Sequence, residues 1–186
     1  MGKILFDTAT SLNGWIADEG NSLDWLFAVE GGEQPAEGLV PRAASVLVEG
    51  STTYQWVLAA EDILAHPERW RNFHGDRTTF VFTTRELPKP EGADIRFVSG
   101  SVAERLPEIR RAAGGGDIWV VGGGELAGQF LDANALDEIA LSVAPVVLSG
   151  GAALLPRRLE ADRLRLESAT QVGQFARLIY TVKPRS

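Results

Sequence analysis

The stretch DIWVVGGGELAGQFL, Asp117 to Leu131, limits the possible folds more than any other part of the chain. It joins a short unbroken apolar run to three adjacent glycines, then to a segment in which Leu126, Phe130 and Leu131 recur at helical spacing. An apolar run without polar alternation suits a strand covered on both faces, and such strands belong to largely parallel sheets flanked by helices. An α/β fold is expected. The glycines add a second consequence. The free N–H groups of a helix's first turn and its positive dipole end point at the preceding loop, and glycine lets an anion approach with no Cβ in the way. A phosphate cradle and a tight turn that only lets helix and sheet pack closely are both consistent with these residues.

Other segments repeat the alternation of strand and helix. KILFDTA (3–9), SVLVEG (45–50), TTFVFTT (78–84), DIWVV (117–121) and EIALSVAPVVL (138–148) read as strands. Between Ser101 and Ala113, Val102, Leu106 and Ile109 recur at i, i+4 and i+7. Ser101 with Glu104 forms a capping box there, and Gly114 can take the left-handed position that ends a helix. ELAGQFLDA (125–133) reads as a further helix. After Gly151 the pattern changes: RLRLESATQVG and FARLIYTVK alternate, with Ala176, Leu178, Tyr180 and Val182 on one face and Arg177, Ile179, Thr181 and Lys183 on the other. These two segments are expected to pair as an antiparallel hairpin through Gly173 and Gln174. EGGEQPAEGLVPRA (30–43) and RELPKPEGAD (85–94) read as surface loops at the edges of a site. With no linker and no repeat, residues 1–186 are read as a single domain.

Composition excludes several classes of function. A net charge of −7 disfavours nonspecific attraction to nucleic acid or to an anionic membrane, so an anionic ligand needs a local cluster of donors. There is no cysteine, and only His66 and His74 remain as soft metal ligands, so a zinc site is not expected. Both histidines are read as surface residues. The opening MGKILFD lacks a signal peptide's apolar core and no run approaches membrane-spanning length, so a cytoplasmic protein is expected.

Two familiar nucleotide motifs fail. Gly122-x-Gly124-x-x-Ala127 fits the dinucleotide fingerprint of a Rossmann fold, but that fingerprint needs a carboxylate roughly 20 residues later, and SVAPVVLSGG supplies none. No Gly-Lys-Ser/Thr triplet follows the glycines, which removes the P-loop. The succession DTATSLNGWIA, VEGSTTYQW, FTTREL, WVVGGGELAGQFL and LDEIALSVAPVVLSGG, closed by the alternating strands, instead resembles the dihydrofolate reductase superfamily. Within it the chain is most similar to the reductase domain of riboflavin biosynthesis and its stand-alone relatives. The resemblance covers about the whole length. It implies a three-layer fold: a mixed, mostly parallel central sheet with helices on both faces, an antiparallel C-terminal strand, and NADPH bound at the carboxyl ends of the strands.

The resemblance also implies a set of site residues. Gly122, Gly123, Gly124, Glu125 and Leu126 match the segment that presents backbone donors to the pyrophosphate. Gly50, Ser51, Thr52 and Thr53 match a second phosphate-binding turn, where relatives commonly have arginine in place of Ser51. Thr83, Thr84 and Arg85 match the turn that reads the 2′-phosphate, for which a guanidinium and two hydroxyls are suitable chemistry. Ala9 and Thr10 match the backbone that meets the nicotinamide carboxamide, and the loop after them, with Asn13 where relatives often carry Asp, is read as a mobile flap.

Hydride transfer to a C=N or C=O centre leaves an anion that must be protonated, which calls for a carboxyl group in a dry cleft. Asp24 matches the pterin-binding carboxylate of folate-reducing relatives, and Asp7, near the end of an apolar strand, is the other candidate. Trp25, Trp56 and Trp70 are read as pocket lining or as core. Three functions follow: an NADPH-dependent reductase of a small pteridine- or pyrimidine-like or carbonyl substrate, an NADPH- or flavin-binding protein without turnover, and a folate-pathway enzyme. Relatives are commonly homodimers, and the amount of apolar strand in 138–148 and the C-terminal hairpin agrees with a homodimer.

Overall fold

The computed structural model describes residues 1–30 and 40–185. Most of the 30–43 loop therefore lies outside the described residues. Among these residues ten strands, β1 (Ile4–Ser11), β2 (Trp15–Ala17), β3 (Val46–Gly50), β4 (Thr78–Phe82), β5 (Ile95–Val98), β6 (Ile118–Gly122), β7 (Glu138–Ala144), β8 (Ala152–Ala153), β9 (Leu164–Val172) and β10 (Phe175–Val182), form two sheets. Among the described residues five α-helices accompany them: α1 (Asp24–Phe27), α2 (Ser51–Ala60), α3 (Trp70–His74), α4 (Val102–Ala113) and α5 (Gly124–Asp132). The large sheet has the order β5-β4-β3-β6-β1-β7-β10-β9. From β5 to β7 every neighbouring pair is parallel, while β10 runs antiparallel to both β7 and β9. β2 and β8 form a small antiparallel sheet of their own.

The unbroken apolar runs are explained by helices on both faces. On one face Ile4, Phe6, Val46, Val48, Ile118 and Val120 pack against Val102 and Ile109 of α4 and Leu126, Phe130 and Leu131 of α5. On the other, Leu5, Leu47 and Trp119 form one cluster, while Tyr54 and Val57 of α2 close over Trp70, Val81 and Ile95 in a second. Phe130 is fully buried, and its truncation to alanine in such a setting costs about 3–5 kcal/mol.

Local chemistry sets the element ends. Ser101 and Glu104 form the expected capping box, and Gly114 closes α4 at φ 58. The hairpin turns at Gly173 and Gln174 with Val172 opposite Phe175. β7 stops at Ala144, short of the expected end at 148, because the next residue is Pro145, which has no N–H for the ladder.

His74 corrects an expectation. It is fully buried, not a surface residue, and its Nε2 lies 2.6 Å from Oε1 of the equally buried Glu49, the residue before Gly50. Its ring stacks on Trp70 at 3.5 Å, which explains how a histidine enters this core. Trp70 itself is core, while Trp25 and Trp56 are half-buried.

The expected flap is also tied down. The Asn13 side-chain amide donates to the Leu148 carbonyl at 2.7 Å and accepts from the Leu148 N–H at 3.1 Å. Leu12 N–H donates to Val146, Leu154 N–H donates to Gly14, and β2 pairs with β8 just beyond. The segment after β1 is thus pinned to the segment after β7.

Candidate functional site

β3 and β6 are parallel neighbours, so both deliver their carboxyl ends to the same edge of the sheet. Each runs straight into a helix through a glycine. Gly50 caps α2 and Gly123 caps α5, both in extended conformation and neither with a side-chain cap. The first-turn N–H groups of both helices therefore have no capping side chain. A Cβ on Gly50 would lie 3.7 Å from the Gly122 carbonyl oxygen and from the Gly123 nitrogen, so the two junctions lie side by side. Together with the turn after β4 they border a groove of ≈ 420 Å³.

Gly50, Ser51, Thr52, Thr83, Thr84, Gly123, Glu125 and Leu126 line this groove, joined by Ser99, Gly100 and Gln129, which the sequence reading did not single out. Arg85 is exposed and reaches across its mouth, with Nη2 donating to Ser51 Oγ at 2.9 Å. The turn that carries it is held by the Arg85 N–H donating to Thr83 Oγ1 at 2.9 Å. The residue that replaces the relatives' arginine thus has this chain's own guanidinium beside it. Thr53 is behind the lining, 3.3 Å from the place a Cβ on Gly122 would occupy.

The three glycines have different neighbours. None of them has a positive φ, so backbone freedom is not what the triplet supplies; the Gly122–Gly123 bond is cis. A Cβ on Gly124 would overlap the carbonyl oxygens of Ala153 and Leu154. A Cβ on Gly123 would meet only the end of the Ile16 side chain, at 3.8 Å. The tight-packing role and the open, groove-facing role thus fall on adjacent residues.

The two carboxylates stand apart from the groove lining. Asp24 is the exposed first residue of the four-residue α1, its N–H donating to Ser22 Oγ at 3.0 Å. Asp7 is only 7% exposed and is held by Arg177, whose Nη1 and Nη2 donate to its two carboxylate oxygens at 2.6 and 2.5 Å. Arg177 Nη1 also approaches Ser142 Oγ at 3.3 Å, so the pair spans β1, β7 and β10. Burial pushes the Asp7 carboxyl above its ordinary range, against the opposing pull of Arg177. Ala9 and Thr10 follow on β1, with Thr10 Oγ1 3.2 Å from the Trp15 carbonyl.

Arg177, Glu49 and Arg157 escaped the sequence reading as paired side chains, and His74 was misread as surface. For Arg177 a signal existed, because period-two spacing puts it on the same face as Phe175 and Ile179. For Glu49, the signal was a lone acid at the end of an apolar strand. Arg157 lies in an irregular segment after Gly151, where no periodicity marks a partner. Its guanidinium grips Glu125 with two bonds, at 2.9 and 2.7 Å, and Asp132 with a third at 2.7 Å. Among the described residues no group of three or more His, Cys, Asp or Glu side chains is placed to hold a metal ion, and no helix is long and apolar enough to cross a membrane.

Comparison with known proteins agrees with this architecture. The chain is 28% identical to the uncharacterized protein YwjB of Bacillus subtilis (strain 168) over 178 residues, covering 96% of this chain and 97% of the relative. It is similar in structure to a protein of Shewanella sp. PV-4 assigned to riboflavin biosynthesis, at 24% identity and a TM-score of 0.72, covering 98% of this chain and 99% of that one. A dihydrofolate reductase of Enterococcus faecalis complexed with NADP(H) shares the fold at 14% identity and a TM-score of 0.59, covering 100% of this chain and 98% of that one. The dihydrofolate reductase-like fold is therefore shown. The model of the RibD C-terminal domain matches residues 63–176, a span that holds the Thr83–Arg85 turn, the glycine triplet and the start of the final hairpin, and the chain belongs to that family.

Proposed function

We propose that this protein is an NADPH-dependent reductase that delivers hydride to a small pteridine- or pyrimidine-like heterocycle or to a carbonyl substrate. The observation that carries the reading is the groove between two glycine-capped helix N-termini, with Arg85 and Ser51 at its mouth. Backbone N–H groups at the starts of α2 and α5 suit the oxygens of a pyrophosphate. The Arg85 guanidinium with the hydroxyls of Ser51, Thr83 and Thr84 suits a ribose 2′-phosphate. NADPH, when bound, supplies the hydride. The Asn13–Leu148 tie holds the segment that leaves the carboxyl end of β1, near Ala9, against the segment after β7. This reading goes with a cytoplasmic site of action and a homodimer in which the C-terminal hairpin, whose Leu166 is 52% exposed, meets its copy.

A second reading, binding of NADPH or a flavin without turnover, is favoured by one observation. Both oxygens of Asp7 are taken by Arg177, and Asp24 is exposed, so neither carboxylate stands free in a dry cleft. Calorimetric titration with NADPH, NADH and flavin nucleotide, followed by a substrate screen read as loss of nicotinamide absorbance, separates the two. Tight NADPH binding with consumption supports the reductase; binding without consumption across pteridines, pyrimidines and small carbonyls supports the second reading. No binding of NADPH at millimolar concentration overturns the first.

A further inference from the structure

Glu125 is out of keeping with the groove it lines. Among the described residues of the lining itself, with Arg85 only reaching across the mouth, it is the one that carries a charge, and the charge has the wrong sign for a phosphate. It stands in the first turn of α5, where the dipole and the free N–H groups would otherwise be offered to an anionic ligand. In a chain with a net charge of −7, one more carboxylate at this place works against the ligand.

The structure supplies an answer on the flank of the helix. Arg157 lies across Gly128, with its Cζ 3.0 Å from the place a Cβ would occupy, so the missing side chain opens the bed in which the guanidinium rests. From there it meets Glu125 fork to fork, Nη1 to Oε2 at 2.9 Å and Nη2 to Oε1 at 2.7 Å, while Nε holds Asp132 at the other end of α5. Two carboxylates on one guanidinium leave no spare positive charge. Arg157 therefore does not act as a phosphate ligand itself. We infer that Arg157 is a positioning residue of the cofactor groove: it draws the Glu125 carboxylate onto itself and removes a negative charge from the place where phosphate oxygens would lie. The inference rests on the reading of the groove as a dinucleotide site. The same ion pair holds the Glu125 carboxyl below its ordinary range and raises Arg157, so both partners are ionised at neutral pH.

A structural clamp and a charge screen make opposite predictions when the carboxylate is removed. The test measures NADPH affinity by calorimetry for the parent, Arg157→Gln, Glu125→Gln and the double variant, with melting temperatures taken without ligand. Arg157→Gln is expected to weaken NADPH about three- to tenfold, because the carboxylate is released beside the phosphates, and the deficit should shrink in high salt. Glu125→Gln should bind NADPH more tightly than the parent, because the group of Arg157, Glu125 and Asp132 beside the groove then carries one negative charge fewer. The double variant should recover most of what Arg157→Gln loses. If Glu125→Gln and the double variant are as weak as Arg157→Gln, the pair acts only as a clamp on α5 and the inference is overturned. A parent that binds neither NADPH nor ADP-ribose 2′-phosphate overturns the dinucleotide reading, and this inference with it.

Discussion

Three parallel strands of one sheet run into helices at the same edge, and they finish in two different ways. At the β5–α4 junction the chain closes its own helix: Ser101 Oγ accepts from the Glu104 N–H at 3.3 Å, and Glu104 Oε2 accepts from the Ser101 N–H at 2.8 Å. At the β3–α2 and β6–α5 junctions glycine stands in the capping place and no side chain bonds back. All three border the same groove, since Ser99 and Gly100 lie just before the closed terminus. A helix start costs stability when its donors go unanswered, and a serine or aspartate at Gly50 or Gly123 would be an easy remedy. Its absence at two adjacent junctions, beside a third where it is present, is the difference on which the proposed cofactor site rests.

The comparison can be broken most violently at Gly124. Gly124→Val drives a side chain into the carbonyls of Ala153 and Leu154, which are backbone and cannot swing aside, so a loss of about 3 kcal/mol or more is expected. Thermal unfolding without any ligand should show it. One residue earlier the expectation reverses. Gly123→Val places its branches toward the groove, where only Ile16 is near, and should melt within a few degrees of the parent while losing about 3 kcal/mol of NADPH affinity, roughly a hundredfold. A variant that melts like the parent and binds NADPH unchanged would remove the phosphate role from the open terminus.

Arg85→Ala sharpens the comparison at the mouth of the groove. It should cost about 1–3 kcal/mol of NADPH affinity and leave NADH almost untouched, because only NADPH carries a 2′-phosphate for the guanidinium. Equal losses for both cofactors in paired titrations would place Arg85 outside phosphate recognition. The closed terminus provides the control. Ser101→Ala should lower stability by about 0.5–2 kcal/mol with no change in cofactor affinity. Its capping partner adds a pH signature. The bonds from Ser101 hold the Glu104 carboxyl below its ordinary 4.5, so the contribution is present above that value and is lost as pH falls through the lowered one. The difference in melting temperature between the parent and Glu104→Gln should therefore persist at pH 7 and fade in acid.

What the sequence revealed and what it hid follow one physical line. α4, five of the six parallel strands and the final hairpin were legible because each is specified within a few residues: a capping box, a glycine at the helix end, an apolar run, a two-residue turn; β5, only four residues long, was not. The groove was legible as far as backbone chemistry at strand ends goes, since glycine at a helix start is written locally. The partners of its charged side chains were not. Arg157 is 32 residues from Glu125 and Arg177 is 170 from Asp7, and no local pattern links them. His74 was misread for the same reason, because its place in the core depends on Glu49 and on Trp70 in a stacked arrangement that neither spacing nor composition records.

The clasp between Asp7 and Arg177 also has a consequence for how the chain comes into being. β1 comes before both of its neighbours, β6 and β7, in the sequence, and the guanidinium that answers its buried carboxylate arrives on β10, 170 residues after Asp7. Until then the nascent chain holds a carboxylate on an apolar strand with nothing to offset it, and β1 has reason to stay in water. Completing the sheet's centre therefore joins residues far apart in the sequence, the kind of pairing that slows folding. A chain cut short before Arg177 keeps every residue of the groove lining and lacks the partner of the buried Asp7.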